Sequence, residues 1–381
     1  MTNAVRNRVV KRAGVDNDTS KPIIINGDMA IAQRGTSFTS QTGVAYHLDR
    51  YEVSGYNMGD GVYRVDQSTD VPSGQGFINS NKISCTTADS SQDANNQFYF
   101  QTQLEGTATS FLKYFVSSPD TITLAFWVRS NRTGTHSLAL KLSHNGSVEN
   151  NTSTRIYHKL YTISSADTWE KQTCVITLDS ASKTKVTGTG FAVAVQFWLG
   201  AGTDRDGASA NSWLDNGNAT TASDNEDMLA STDNDWFITG LQIEVGDFNN
   251  DTIPEFQFES RIDNLRRCQR YFHIGVGLDG NTTGMANGSF RTNATAQILH
   301  QFPVGMRTEP TATQIATDNI IAHDTADGNN INVDSIQSIL FNCENNIVVQ
   351  YTLEGTSAAA GDGCYVYPTG STPGIKFEAE L

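Results

Sequence analysis

The residues whose types could do chemistry crowd into one polar stretch, Gly200 to Asn234. It carries Asp204, Asp206, Asp215, Asp224, Glu226, Asp227 and Asp233, with Asp235 just beyond. Carboxylates in such number can hold a hard cation or work in pairs as general acid and base. Asp204-x-Asp206-Gly207 is a fragment of calcium-loop spacing, but the full D-x-D-x-D-G run is missing, and a solvated acidic loop accounts for the same residues. Trp213 is the one large aromatic in this polar setting. An exposed indole stacks on the apolar face of a sugar ring, whereas an indole folded back onto the protein buries the same surface. Both readings stand, and Trp213 is the first candidate for a ligand contact.

Other chemistry is excluded by pattern. There is no G-x-S-x-G, H-E-x-x-H or P-loop string. The histidines lack H-x-x-x-H spacing, and the five cysteines are scattered without a CxxC pair. They read as reduced structural thiols of a chain folded in a cytoplasm. Gly275 to Gly280 fits G-x-G-x-x-G, but NTTGMANGS follows it where a helix would have to present amides to a phosphate. Glycan cleavage needs only two carboxylates about 5 to 10 Å apart, and an acidic β protein supplies such pairs by chance. We therefore expect a non-catalytic protein, with a glycan depolymerase as the lesser alternative.

The elements that position these residues follow from composition. The chain has 381 residues, only 18% of them charged, and a net charge of −15. Its polar surface leans on Asn, Thr, Ser and Gly, which favour turns and strand faces over helix interiors. This predicts an all-β protein. The charge excludes a nucleic-acid partner, which needs clustered Lys and Arg. It also means that approach to an anionic cell surface depends on specific contacts or divalent cations. No run approaches a membrane span, and MTNAVRNRVVKR has no apolar core of a secretory signal. The expectation is no membrane insertion, and synthesis in the host cytoplasm without export.

Period-2 alternation marks strands throughout. Trp236, Ile238, Leu241, Ile243 and Val245 alternate, with a bulge expected at Gly240. Leu124, Phe126 and Val128 share one face of Ile122–Arg129. Ile23-Ile24-Ile25 reads as a first strand stopped by the Asn26-Gly27-Asp28 turn. IDNLRRCQRYF changes to helical spacing, with Leu265, Cys268 and Phe272 as its stripe. Short strands then recur to the C-terminus, with Phe341 and Ile347-Val348-Val349 as core. Residues 1–21 form a basic arm, with Arg6, Arg8, Lys11 and Arg12 as its attachment charges, if it orders on an acidic partner rather than fraying. The expected organisation is an arm at 1–21, a jelly-roll β-sandwich at 22–261, and at 262–381 a short linking helix and a second, smaller β-sandwich.

Several of these strings carry a family resemblance. IIINGDMAIAQRGTSF followed by YHLDRY, then W-x-x-TG-x-Q-x-E-x-G, F-x-F-E-x-R and CQRYF, and finally FPVGMRTEPTAT, resemble the carbohydrate-binding-module-like jelly roll of phage tail-fibre and minor virion structural proteins. TLAFWVRS with SLALKLSHNGS resembles that family's core hairpin. The resemblance spans nearly the whole chain beyond residue 21. It implies a virion tail-fibre or receptor-binding subunit that binds host surface glycans, assembles as a homotrimer, and joins other virion proteins through its arm. A capsid or tail decoration protein with an assembly role alone is the alternative. In such modules the NGD turn and the last strand often enclose a structural calcium. That implies Asp28 as a ligand and Asn26 as a backbone or amide contributor, although Met29-Ala30 stands where the family continues to a glutamate.

Overall fold

A computed structural model of the chain describes residues 21–146, 153–215, 221, 225–275, 286–315, 320–368 and 374–381. The attachment charges Arg6, Arg8, Lys11 and Arg12 lie outside the described residues. The fold is all-β. Two compact units divide between Asn264 and Leu265, with Leu381 counted in the first. Among the described residues no helix is long and apolar enough to cross a membrane.

The first unit contains β1 (Ser37–Gln41), β2 (Val44–Tyr46), β3 (Tyr51–Tyr56), β4 (Val62–Ser68), β5 (Ser80–Thr87), β6 (Gln97–Glu105), β7 (Thr121–Ser130), β8 (Gly134–Ser143), β9 (Thr154–Ile163), β10 (Glu170–Thr177), β11 (Phe191–Ala201), β12 (Trp213–Asp215) and β13 (Asp235–Val245). They form two antiparallel sheets, β1-β4-β5-β13-β7-β10 and β12-β9-β8-β11-β6-β3-β2. The inward halves of the alternating strands meet between the sheets. Phe126 of β7 packs edge-on against Phe197 of β11 at 4.9 Å, and Trp236 of β13 lies 5.6 Å from Phe100 of β6. Each such side chain, removed from water, contributes roughly 1.5–3 kcal/mol.

Two local expectations need correction. β7 and β8 do not pair as a core hairpin: β7 lies between β13 and β10, and β8 lies between β11 and β9 in the opposite sheet. The three residues between them cross the sandwich instead of turning back. Nor do Ile23, Ile24 and Ile25 form a strand. All three are buried, but the chain leaves extended geometry at Asn26 (φ 57°) and Met29 (φ 56°). Its hydrogen bonds go to the bulge of β13, where pairing with β7 shifts between Thr239 and Gln242. There Gly240 takes φ +65° beneath the Phe77 ring, and the Leu241 N–H donates to the Gly27 carbonyl at 3.0 Å.

The division falls within the helix Arg261–Gln269, and the strands of the second unit are β14 (Phe272–Ile274), β15 (Ala286–Thr292), β16 (Thr295–Gln301), β17 (Thr311–Gln314), β18 (Ile320–Asp324), β19 (Asn330–Cys343), β20 (Asn346–Leu353), β21 (Gly363–Pro368) and β22 (Ile375–Glu378). This unit is all-β as expected, but six of its strands close on themselves. The order β15-β16-β20-β19-β18-β21 is a barrel, beside a three-stranded sheet β14-β22-β17. Ile298, Val349, Tyr351, Val366 and Phe377 fill one core. Phe341 is not in it and is 71% exposed. Three register shifts along β19, the last between Ile339 and Phe341, break its alternation and turn that side chain outward.

Candidate functional site

Trp213 lies at the edge of the seven-stranded sheet. Pairing of β12 with β9 sets Trp213 opposite Tyr157, Leu214 opposite Ile156 and Asp215 opposite Arg155. The indole and phenol rings are 5.3 Å apart and tilted by 55°. The indole N–H donates to the Thr177 carbonyl at 2.8 Å, and the pair packs its inner side on the main core. Both sequence-based readings thus meet in one residue, half-buried on the sandwich and lining an open cleft. That cleft has a volume of about 470 Å³ and is lined by Trp213 and Tyr157 with Ser117, Ser180, Asn211 and Ser212.

Arg155 fixes this edge. Its Nε donates to Asp179 Oδ2 at 2.6 Å, its Nη1 pairs with Asp215 Oδ1 at 3.1 Å, and its Nη2 donates to the Trp213 carbonyl at 3.3 Å. The two carboxylates are therefore engaged by one cation. What the cleft presents to a ligand is two aromatic rings, hydroxyls and an amide. Such a surface can cover an apolar ring face and hydrogen-bond the groups on its rim.

The outer face of the same sheet carries a second polar layer. Glu52, Gln101, Gln196, Ala139 and His158 stand in one row across β3, β6, β11, β8 and β9. Gln196 Nε2 donates to Gln101 Oε1 at 2.7 Å, and Gln101 Nε2 donates to Glu52 Oε1 at 2.6 Å. Trp198 and Tyr99 pack beside this row, 4.9 Å apart. Loop residues of the acidic stretch seal this face. The Asn211 N–H bonds the His158 carbonyl at 2.8 Å, and Gly202 and Asp204 bond back to Asn96 and Ala94. Burial, with Arg205 nearby, lowers the Lys141 ammonium to about 8. Burial, with Lys141 nearby, lowers His158 to about 4. Asp204 and Asp206 are exposed. Asp224 lies outside the described residues.

At the NGD turn the side chains are committed to the fold. Asn26 Nδ2 donates to the carbonyls of Ile31 and Asp49, and its Oδ1 accepts the Ile31 N–H at 2.9 Å. Asp28 Oδ1 accepts from Asn264 Nδ2 at 3.1 Å, and burial holds its carboxyl above the usual carboxylate range. No group of three His, Cys, Asp or Glu ligands forms around Asp28 among the described residues. Sequence reasoning missed Tyr157 and Arg155, because only the β9–β12 register brings them to Trp213, and it passed over Asn211, which stands two residues before the indole.

No family model matches the chain, and no curated protein matches it. Among solved structures it is similar to the enzymatically active domain of tailspike protein 4 of bacteriophage CBA120, at 12% identity and TM-score 0.31, covering 59% of this chain and 21% of that one. It is also similar to a putative sugar binding protein from Bacteroides thetaiotaomicron, at 11% identity and TM-score 0.32, covering 59% of this chain and 100% of that one. A third is the CBM22-1 xylan-binding domain from Paenibacillus barcinonensis Xyn10C, at 11% identity and TM-score 0.27, covering 59% of this chain and 94% of that one. The chain thus spans only 21% of the tailspike's length.

Proposed function

We propose that this chain is a virion structural protein, a phage tail-fibre or receptor-binding subunit, whose jelly-roll unit binds a host cell-surface glycan without cleaving it. The observation that carries the reading is the Trp213–Tyr157 pair lining an open cleft rimmed by hydroxyl and amide groups. It agrees with the family resemblance of the NGD, TGLQIEVG and CQRYF segments. In this reading the subunit is a homotrimer on the virion, joined to other virion proteins through residues 1–21. Several weak sugar contacts on one oligomer then gain from high effective concentration.

The test is titration of host surface polysaccharide into the purified chain, with reducing-end release followed in parallel. Trp213→Ala is expected to weaken binding by about 1–3 kcal/mol, and Trp213→Phe to recover part of the loss, with the fold intact by circular dichroism. Unchanged affinity in Trp213→Ala removes the cleft from the reading. Release of reducing ends overturns the non-catalytic assignment. Incorporation into particles with no glycan binding at all favours a decoration role.

A further inference from the structure

We propose that the barrel of the second unit binds a calcium-type divalent cation at Asp324, Asp327 and Asp362. Asp324 closes β18, and Asp327 follows in the turn to β19. Asp362 arrives from a distant part of the chain, immediately before β21, whose pairing sets Cys364 opposite Asp324. One carboxyl oxygen from each of the three lies within 4.8 Å of the others.

The backbone builds this convergence. Asp324 Oδ1 accepts the N–H groups of Ala326 at 2.8 Å and Asp327 at 3.3 Å. The Gly328 N–H bonds the Asp324 carbonyl at 3.0 Å, and the Asp362 carbonyl accepts the Phe290 N–H at 3.0 Å. Thr325 ties the turn to the other strand, its hydroxyl donating to the Gly363 carbonyl at 2.7 Å.

The independent pointer to a ligand is the other oxygen of Asp324. The residue is 0% exposed, and its Oδ2 has no hydrogen-bond partner. A buried carboxylate oxygen without a donor is costly, and two more carboxylates beside it raise that cost. None of the three forms an ion pair with a described Lys or Arg. A cation resolves both problems at once. The donors are all carboxylate oxygens, which select a hard ion over zinc or copper. Oxygens sharing one calcium at about 2.4 Å lie at most about 4.8 Å apart. The exposed side of Asp327 leaves room for water to complete the coordination.

The experiment uses the full chain, stripped with EDTA and then titrated with calcium chloride. Calorimetry should show an unfolding transition that rises with millimolar calcium, and bound terbium should show luminescence sensitised by the protein's tyrosines. Asp327→Asn and Asp362→Asn should each abolish both signals. In EDTA they should be at least as stable as the parent, because they relieve the repulsion. Asp28→Asn should keep both signals, separating this site from any at the N-terminal turn. A parent that gains nothing from calcium overturns the proposal, as does a shift that survives Asp327→Asn. Relief of the cluster by acid alone, with no calcium response, assigns it to a shared proton.

Discussion

Acid should weaken the second unit through two histidines, His300, which is buried, and His273, which is half-buried. His300 of β16 is 3% exposed. Its Nε2 is 2.9 Å from the Tyr351 hydroxyl, and its ring packs 5.1 Å from Phe377. Burial, with His273 nearby, lowers its pKa from 6.5 to about 3. Burial lowers His273 from 6.5 to about 4. Between those values and 6.5 the unfolded chain binds protons that the folded chain refuses, so stability is full above pH 6.5 and falls as pH drops toward 4. At about pH 4.5 each ring costs about 2–3 kcal/mol. His300→Gln keeps a polar group for Tyr351 and removes one titration. Its cost at neutral pH should be about 1–2 kcal/mol, but its further loss on acidification should be smaller than the parent's by about 2–3 kcal/mol. Calorimetry of both proteins from about pH 7.5 to 4.5 measures that difference. Comparing the two proteins cancels the titration of every group they share. Parallel pH profiles would refute the reasoning, as would an NMR titration placing the His300 pKa near 6.5.

Gly27→Ala should destabilise the first unit by about 1–3 kcal/mol, because a Cβ there would lie 2.2 Å from the Leu241 carbonyl oxygen. An unchanged melting temperature would mean that the turn does not rest on β13. Arg155→Met should cost about 3 kcal/mol, since it leaves the carboxylate of Asp179, 5% exposed, without its cation; a melting temperature within error of the parent would contradict this. The same variant should loosen β12, read as a red shift of the Trp213 emission that remains after subtracting the spectrum of the matching Trp213→Phe protein.

The strands with one apolar face were legible. β7 and β13 alternate without interruption on either side of the glycine, and the bulge sits where a Thr-Gly step allows positive φ. The strings behind the family resemblance turn out to be fastenings. Asn26 staples its own turn, Gly27 meets the bulge, and Asp28 reaches Asn264. They carry the sandwich more than any site. The triple isoleucine misled because a run of β-branched residues signals burial as readily as a strand, and here the run is buried without joining a ladder. The β7–β8 crossing, the closure of the barrel and the outward Phe341 depend on pairings between distant segments, which local alternation does not encode. Trp213 was legible as an oddity of composition. Its cleft was not, because Tyr157 and Arg155 become its neighbours only through register.

The closed barrel bears on how copies tolerate one another at high density. An open sheet ends in unpaired backbone groups that a neighbouring chain can zip onto, and a displaced strand can be traded between molecules. The first unit keeps such rims at β1, β2, β10 and β12. In the six-stranded ring every strand already has a partner on each side. Crowded barrels therefore meet through side chains alone, and those contacts can be selected one residue at a time.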